Sequence, residues 1–489
     1  MNKKILWISL AFLILYSTPQ LLRDVYLDGN LIGFTTYFHE RSAENLLQGQ
    51  FYDNLSFGGR PYTYPPGFHV LLALLMPIGK YLVPLFGAIG IVVCYFFSKQ
   101  IGLSEKEATL ASVFLGIIPG FFYLSSHINP RLPALVALVA AFYFLQKTEM
   151  RDKLAAALLL SFVFLLHPLV GFTGLVFGAV LFNKNKIAIP YAIALGAFAL
   201  WFIPFTYANG LPMPSEFYSN YSELQRGVQY FIYETGTAGD SVGIIMLAIA
   251  AFGLFKVSGK EERTIARWFV LAVVAALVLG NRLDEQILFP TAILMSIVIS
   301  RHLADFEKSF NLNKFIARSK LKMLFSVYCI GLVAAVFINM TTFMPYQNDY
   351  HALQWIKLNT PQDAVVASAW ELGHWVTGIA ERKNIIDAYA EYAPEIDERY
   401  KDVQNIFFSS DVDEVLPILR KYNITYIYYR VTELNHCSGL PFLTRSGYLD
   451  TVFQEASADG RSTSLVFKIE YSGTNAKQDL CSSLIASSK

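Results

Sequence analysis

Long apolar runs alternate with short polar segments over the first 343 residues of the chain. A bilayer core about 30 Å thick requires about 20 apolar residues of helix to cross it. The pattern therefore predicts a polytopic α-helical membrane protein with about eleven transmembrane helices. They are expected at residues 4–21, 81–98, 107–124, 132–146, 153–166, 168–183, 187–207, 241–256, 265–280, 286–300 and 322–343.

Two boundaries in this pattern require a choice. The first run resembles a signal peptide, but no small-residue cleavage site precedes Arg23, which favours a retained helix. The apolar run on both sides of His167 and Pro168 is too long for one span. Because proline interrupts helices, the run is predicted to be two spans that meet there.

The charged loops predict the orientation. With the N-terminus inside, the inner loops carry most of the Lys and Arg residues of the first 343 positions, whereas the short outer loops 125–131 and 281–285 carry one Arg each. The inner loops are residues 98–107, 146–153, 183–186, 256–267 and 301–322. This asymmetry follows the positive-inside rule. It predicts a multi-pass protein of the cell membrane with a cytoplasmic N-terminus and an extracellular C-terminal domain.

The chain divides at a change in composition. Residues 1–344 form the predicted membrane domain, and residues 345–489 read like a soluble protein. Within the long first outer loop, 22–80, residues 66–79 are apolar but too short to span, so they predict a helix lying in the membrane interface. Only 16% of all residues are charged, against about 25% in soluble proteins.

The C-terminal domain is predicted to be a small extracytoplasmic α/β domain. Tyr350–Asn359 and Val412–Tyr422 have helical patterns, and Ala364–Ala369 and Ile424–Val431 have strand patterns. Two cysteines, at 437 and 481, fall in this domain and form either a disulfide or two thiols. The net charge of +1 and the absence of a basic, aromatic-rich patch argue against a nucleic-acid partner.

Acidic and histidine side chains cluster in the first outer loop, at Asp24, Asp28, His39 and Glu40. Such groups beside a membrane surface can perform acid–base chemistry. The alternative is a solvated loop without chemistry. Two outer turns each hold an arginine, Arg131 and Arg282, and a guanidinium suits a phosphate head group. The alternatives are a snorkelling Arg131 and a local pair of Arg282 with Asp284 or Glu285.

A polar and aromatic turn follows the predicted strand 364–369, as Trp370-Glu371-Leu372-Gly373-His374-Trp375. Sites in α/β domains are often built at strand ends. His167, at a predicted span end, is more simply explained by packing.

The chain resembles the class C glycosyltransferases, which use polyprenyl-phosphate-linked sugars. Within that class it is most similar to the archaeal relatives of the oligosaccharyltransferase catalytic subunit. Tyr37–Leu47 is similar to the first-loop motif, and Asn281-Arg282 before Phe289-Pro290 resembles the late arginine that meets the lipid phosphate. Residues 369–373, A-W-E-L-G, are similar to the W-W-D-Y-G signature that helps to bind an acceptor sequon.

The sequence also departs from the family pattern. The family's first-loop acid is replaced by Thr35 or Thr36, and its D-x-D or D-x-E pair is replaced by Asn129-Pro130-Arg131. A divalent cation, Mg²⁺ or Mn²⁺, would lack its expected carboxylate ligands, so no cofactor is predicted.

The resemblance implies transfer of a sugar or glycan to a protein or glycan acceptor at the outer face, with inversion at the anomeric carbon. Asp24, Asp28 or Glu40 would act as the catalytic base, and Arg131 and Arg282 would bind the donor phosphate. Substrate binding would fall to His39, Arg41, Tyr64, Asn129, Trp370, Glu371 and His374. The alternatives are an inactive relative that binds lipid-linked glycan or acts as an assembly partner, and, less favoured, a transporter or channel.

Overall fold

The computed structural model describes residues 3–76, 78–211, 242–279, 284–309, 318–432, 447–458, 460 and 462–472. The cysteines at 437 and 481 lie outside this part of the chain. The described residues form two compact units. The membrane unit comprises those of Met1–Val25, Pro65–Ala208 and Tyr221–Thr342, and the loop–sheet unit comprises those of Tyr26–Tyr64, Asn209–Asn220 and Phe343–Lys489.

The membrane unit is helical, as its apolar runs predict, and each predicted span overlaps a helix. Its helices are Lys3–Tyr26, Pro66–Leu74, Leu82–Gln100, Glu105–Ile117, Pro119–Ser125, Arg131–Leu145, Met150–Leu166, Pro168–Leu181, Lys184–Asn209, Ile244–Gly253, Lys260–Leu279, Leu288–Ile297, Leu303–Ser309 and Arg318–Thr341. The predicted interfacial helix 66–79 ends early, at Leu74. Among the described residues, four helices are long and apolar enough to cross a membrane. The count of eleven spans stays a prediction.

Proline positions decide where helices break. The predicted span 107–124 consists of two helices, Glu105–Ile117 and Pro119–Ser125, bent by 68°. Proline lacks the N–H that would continue the first helix, but it is well suited to start the second. The predicted break at residue 167 is confirmed, because one helix ends at Leu166 and the next begins at Pro168. His167 caps the second helix by accepting a hydrogen bond from the Val170 N–H.

One arginine joins three elements at the end of the membrane unit where Glu105–Ile117 begins. Arg301 lies in a π-helical segment, Val298–His302. Its guanidinium donates to Glu107 Oε2 at 3.0 Å and to Glu262 Oε1 at 2.7 Å. Both carboxylates are largely buried, so the shared cation offsets much of the cost of placing them there.

The loop–sheet unit contains a mixed five-stranded sheet. We number its strands with the short hairpin of the first loop, β1 (Tyr52–Asp53) and β2 (Arg60–Pro61). The sheet strands are β3 (Val365–Ala367), β4 (Lys383–Asn384), β5 (Ile424–Thr432), β6 (Leu449–Ala456) and β7 (Ser462–Ile469). Their order is β4-β3-β5-β7-β6, with β3 parallel to β4 and β5, and β7 antiparallel to β5 and β6.

The helices of this unit are Thr36–Leu47, Gln347–Asn359, Gly373–Gly378, Ile396–Phe408 and Val412–Lys421. The predicted α/β character is present, with helix 412–421 and strand 424–432 close to their predicted bounds. The structure adds helix 396–408 and the antiparallel pair β6–β7. Phe57 of the first loop is buried in the core of the sheet. Residues 26–64 therefore group with the C-terminal residues, whereas the sequence interpretation assigned them to the membrane domain.

Candidate functional site

Aromatic and histidine side chains from three segments of the loop–sheet unit surround one tyrosine. We call this group the Tyr389 cluster; its members are Phe38, His39, Tyr64, His374 and Tyr389. The Tyr389 ring centroid lies 4.4 Å from that of Phe38, 5.1 Å from His374, 5.9 Å from His39 and 6.2 Å from Tyr64. The Tyr389 hydroxyl lies 3.4 Å from His39 Nε2. Three of the predicted substrate-binding residues thus meet at a residue that the sequence did not single out.

A buried ion pair holds Tyr389 in place. The Arg60 guanidinium lies 3.4 Å from Asp387 Oδ1, and both side chains are almost wholly buried. The Asp387 carboxylate also accepts hydrogen bonds from the Ser56 hydroxyl at 2.5 Å and from the Tyr389 backbone N–H at 3.0 Å. Arg60 donates to the Tyr389 carbonyl as well. The cluster is therefore fixed by charge-assisted hydrogen bonds that join the first loop to the segment after β4.

His374 is buried in this cluster, and neither of its ring nitrogens forms a hydrogen bond with a described residue. Its Nδ1 lies 3.7 Å from Asp387 Oδ2. Burial lowers the pKa of His374, and the nearby Arg60 cation adds to that effect although Asp387 opposes it. The ring is thus neutral at pH 7 and retains a donor and an acceptor for a ligand or a water molecule.

The other predicted substrate-binding residues of this unit lie elsewhere. Arg41 forms a bidentate pair with Asp53, with N–O distances of 3.0 to 3.3 Å. Burial opposes ionisation of Asp53, but Arg41 and the Leu55 N–H outweigh it and lower the pKa of Asp53. Arg41 therefore holds the β1–β2 hairpin against the first-loop helix. Trp370 packs against the sheet core, and Glu371 is exposed.

The three candidate bases have different surroundings. Asp24, in the membrane unit, accepts hydrogen bonds from Lys80 Nζ at 2.7 Å, Gln20 Nε2 at 3.1 Å and the Tyr81 hydroxyl. Asp28 and Glu40 belong to the loop–sheet unit. The Asp28 side chain is 64% exposed. Glu40 is half-buried and adjoins His39 of the Tyr389 cluster in helix Thr36–Leu47.

A histidine links Asp28 to the sheet. His351 Nδ1 lies 2.9 Å from Glu455 Oε1, and its Nε2 lies 3.4 Å from Asp28 Oδ2. Partial burial favours the neutral ring, but the two carboxylates outweigh it and raise the pKa of His351. The imidazolium therefore pairs with both acids when it is protonated.

Because the folded-state pKa of His351 is raised, its pairing stabilises the fold below an unfolded pKa of about 6.5 and is lost as the pH rises through the folded value. We expect H351N to lower the melting temperature at about pH 5.5 and to leave it unchanged at about pH 9. The effect is at most about 1 kcal/mol, since all three groups are partly exposed. Thermal unfolding across this range checks it; a difference that is constant with pH would contradict it.

The membrane unit has its own polar group, at the turn between Pro119–Ser125 and Arg131–Leu145. Arg131 donates to Glu285, whose side chain is fully buried, while the Arg131 side chain remains 27% exposed. The Asn129 amide donates to the Leu124 carbonyl at 2.8 Å and accepts from the Leu132 N–H at 3.0 Å, which shapes the turn. Arg282 lies outside the described residues. Of the two arginines predicted to bind the donor phosphate, the structure therefore describes only Arg131.

The residues of this turn do not fit a divalent cation. The Asn129 side chain is committed to the backbone, and Arg131 places a positive charge where a metal would need oxygen ligands. Within the described ranges, no group of three or more His, Cys, Asp or Glu side chains is arranged to hold a metal ion.

The chain is similar to several solved structures, among them three glycosyltransferases. The oligosaccharyltransferase of Archaeoglobus fulgidus, in its apo form, matches 97% of this chain and 74% of its own at 13% identity and a TM-score of 0.66. ArnT from Cupriavidus metallidurans, bound to undecaprenyl phosphate, matches 94% of this chain and 97% of its own at 12% identity and a TM-score of 0.60. The mycobacterial arabinofuranosyltransferase AftD matches 96% of this chain and 42% of its own at 14% identity and a TM-score of 0.56.

The sequence comparisons match a smaller part of the chain than the structural ones do. The model of the Dpy19 family, described as Q-cell neuroblast polarisation, matches residues 264–446. No curated protein sequence matches the chain. The structural matches confirm the fold that the resemblance implied: this chain has the fold of the class C membrane glycosyltransferases.

Sequence reasoning missed four residues of these sites: Tyr389, Asp387, Arg60 and, as a partner for Arg131, Glu285. Asp387 and Tyr389 follow the two-residue strand β4, which is too short for a periodic pattern. Arg60 lies in a Gly-rich segment that reads as a plain turn. Glu285 was considered only as a local partner of Arg282. Its partner Arg131 is 154 positions away in sequence, and local sequence patterns do not predict contacts over that separation.

Proposed function

We propose that this protein is a membrane glycosyltransferase that moves a sugar or glycan from a polyprenyl-phosphate-linked donor to a protein or glycan acceptor. The observation that carries the proposal is the convergence of His39, Tyr64 and His374 on Tyr389, in a chain with the class C fold. Two proteins of similar structure support the donor class, ArnT with undecaprenyl phosphate and the Archaeoglobus enzyme with a dolichol-phosphate and an inhibitory peptide.

The reaction takes place at the outer membrane face in this proposal. The positive-inside pattern supports a cytoplasmic N-terminus and an extracellular C-terminal domain. The Tyr389 cluster then binds the acceptor or the sugar, through its ring faces and through the open hydrogen-bonding positions of His374.

The donor phosphate binds at Arg131. Its partly exposed guanidinium is held by the buried Glu285, which orients it before the donor arrives. Arg282 would add a second cation. The Arg131–Glu285 pair is nearly neutral as a whole, so in this proposal the phosphate gains hydrogen bonds from Arg131 more than attraction to a net charge.

The chemistry is a single displacement. A carboxylate, Glu40 or Asp28, accepts the proton of the acceptor hydroxyl or amide while the acceptor atom attacks the anomeric carbon. The bond from that carbon to the phosphate oxygen breaks, and the polyprenyl phosphate leaves with the electron pair. One displacement inverts the anomeric configuration. Asp24 is a weaker candidate base, because three donors already occupy its carboxylate.

Arg131 provides the experiment that tests this function. In vesicles containing a polyprenyl-phosphate-linked sugar, we expect R131Q to lower transfer by about 100-fold, as does loss of one transition-state donor. The substitution removes the partner of the buried Glu285, so E285Q/R131Q should restore stability and leave transfer low. R151Q, which changes an arginine with an 80% exposed side chain, should retain transfer. Full transfer by the double variant would contradict the proposed role.

An inactive relative that binds lipid-linked glycan is the second candidate. It is favoured by the three donors that already hold Asp24 and by the Asn129 side chain, which stands in the place of a family acid and is committed to the backbone. If the protein is an inactive binder, the wild type should retain the lipid-linked sugar without consuming it. R131Q should then lower the amount of retained sugar and have no other effect.

A further inference from the structure

The membrane unit contains a large apolar cavity of about 1290 Å³ that the proposed reaction does not use. Side chains of six helical segments line it, among them Leu110, Ile249, Val333 and Ala334. Its lining runs along helix Arg318–Thr341 from Leu324 to Ile338, a distance of about 21 Å at 1.5 Å per residue. The cavity therefore has the length and the surface to enclose hydrocarbon chains.

The two ends of the cavity differ in polarity. Lys106 and Ser300 line one end. Their sequence neighbours, Glu107 and Arg301, form the ion pair described above, which brings the two backbone segments to the same end of the cavity. The other end includes Ile117, at the far end of helix Glu105–Ile117, and Ile338, both apolar. The cavity is thus amphipathic along its length, with its only lysine at one end of the described lining.

Lys106 and Ser300 are both open to a ligand. The side chain of Lys106 is exposed and forms no ion pair with any described residue, since the adjacent Glu107 is taken by Arg301. The Ser300 hydroxyl is buried and lacks a hydrogen-bond partner among the described groups. Ser300 lies in the π-helical segment Val298–His302, and such segments are frequent at functional sites.

We propose that this cavity binds an anionic membrane phospholipid, with its chains along helix Arg318–Thr341 and its phosphate at Lys106 and Ser300. One cation and one hydroxyl suit one phosphate charge. Lys106 lies in the first turn of helix Glu105–Ile117, whereas Arg131 begins helix Arg131–Leu145, after the 68° bend and helix Pro119–Ser125. The lipid site is therefore separate from the proposed donor-phosphate site and does not depend on the proposed reaction.

Lipid retention by the purified full chain tests the site. The protein is equilibrated in detergent with equal amounts of phosphatidylglycerol and phosphatidylcholine, and bound lipid is measured by native mass spectrometry. We expect the wild type to favour phosphatidylglycerol by about tenfold, and K106Q to lose most of that preference. A334W, which fills the cavity, should lower retention of both lipids. K260Q changes an exposed lysine outside the cavity and should behave as the wild type.

Three results would overturn the proposal. They are equal retention of the two phospholipids by the wild type, an unchanged preference in K106Q, and retention in A334W equal to that of the wild type. Because K106Q removes only a surface charge, folding does not limit its interpretation. Sugar transfer is not a readout here, so failure of the proposed enzyme function leaves the result unaffected.

Discussion

Replacing Glu40 with Gln is expected to lower sugar transfer by about 100- to 10,000-fold, the range for loss of a general base. Glu40 is half-buried and adjoins His39, whose ring lies 5.5 Å from that of Tyr64. In the proposed reaction this carboxylate accepts the proton of an acceptor that is bound at the Tyr389 cluster. Glutamine keeps the size of the side chain and removes the basic oxygen, so the loss should appear in the turnover rate more than in binding.

The two other acids provide matched controls. D24N alters a carboxylate that three hydrogen-bond donors already hold, so transfer should fall only as far as stability does. D28N removes the His351 contact and should change transfer by less than E40Q. Single-turnover transfer with a polyprenyl-phosphate-linked sugar measures all three. Unchanged transfer in E40Q, D24N and D28N alike would exclude every base considered for this chain.

Removal of the Asp387 carboxylate is expected to cost about 3–5 kcal/mol of folding stability, because D387A leaves the Arg60 charge buried without its partner. Asp387 is fully buried and also accepts hydrogen bonds from Ser56 and the Tyr389 N–H. The loss should therefore release the Tyr389 cluster as well, and transfer should fall with stability.

A double variant separates the buried charge from the packing. R60M/D387L removes both charges and should recover part of the lost stability, since apolar replacement of a whole buried pair is often tolerated. E398Q weakens the exposed pair with Lys421 and should shift stability by less than about 0.5 kcal/mol. Denaturant unfolding of the full chain in detergent measures these differences. Wild-type stability in D387A would contradict the role assigned to this pair.

The fold was largely predictable because helices in a membrane and buried strands both leave local patterns. Apolar length located the helices, and Pro168 located a break that the structure confirms. Strands β6 and β7 were not predicted, because exposed residues interrupt β6, polar residues begin β7, and strand pairing is a non-local property. The insertion of Phe57 into the sheet core was also beyond local reasoning, since its tertiary partners lie hundreds of residues away.

The candidate site was predictable in its members but not in its arrangement. His39, Tyr64 and His374 were chosen as polar or aromatic residues near loops and strand ends, and they do meet. Arg41 was chosen on the same grounds, yet its nearer partner Asp53 takes its guanidinium. Local charge alone does not distinguish an arginine that binds substrate from one that closes a hairpin. Only the three-dimensional pairing decides between them.

The central claim is that this chain consumes a polyprenyl-phosphate-linked sugar. The direct measurement is incubation of the purified wild-type protein, in vesicles with a radiolabelled polyprenyl-phosphate-linked sugar and an acceptor peptide or glycan, followed by quantification of labelled acceptor and released polyprenyl phosphate. We expect both products in equal amounts and with repeated turnover, and we expect both to be lost in R131Q. If the protein binds the donor but forms neither product with any sugar and acceptor of a panel, this claim is contradicted.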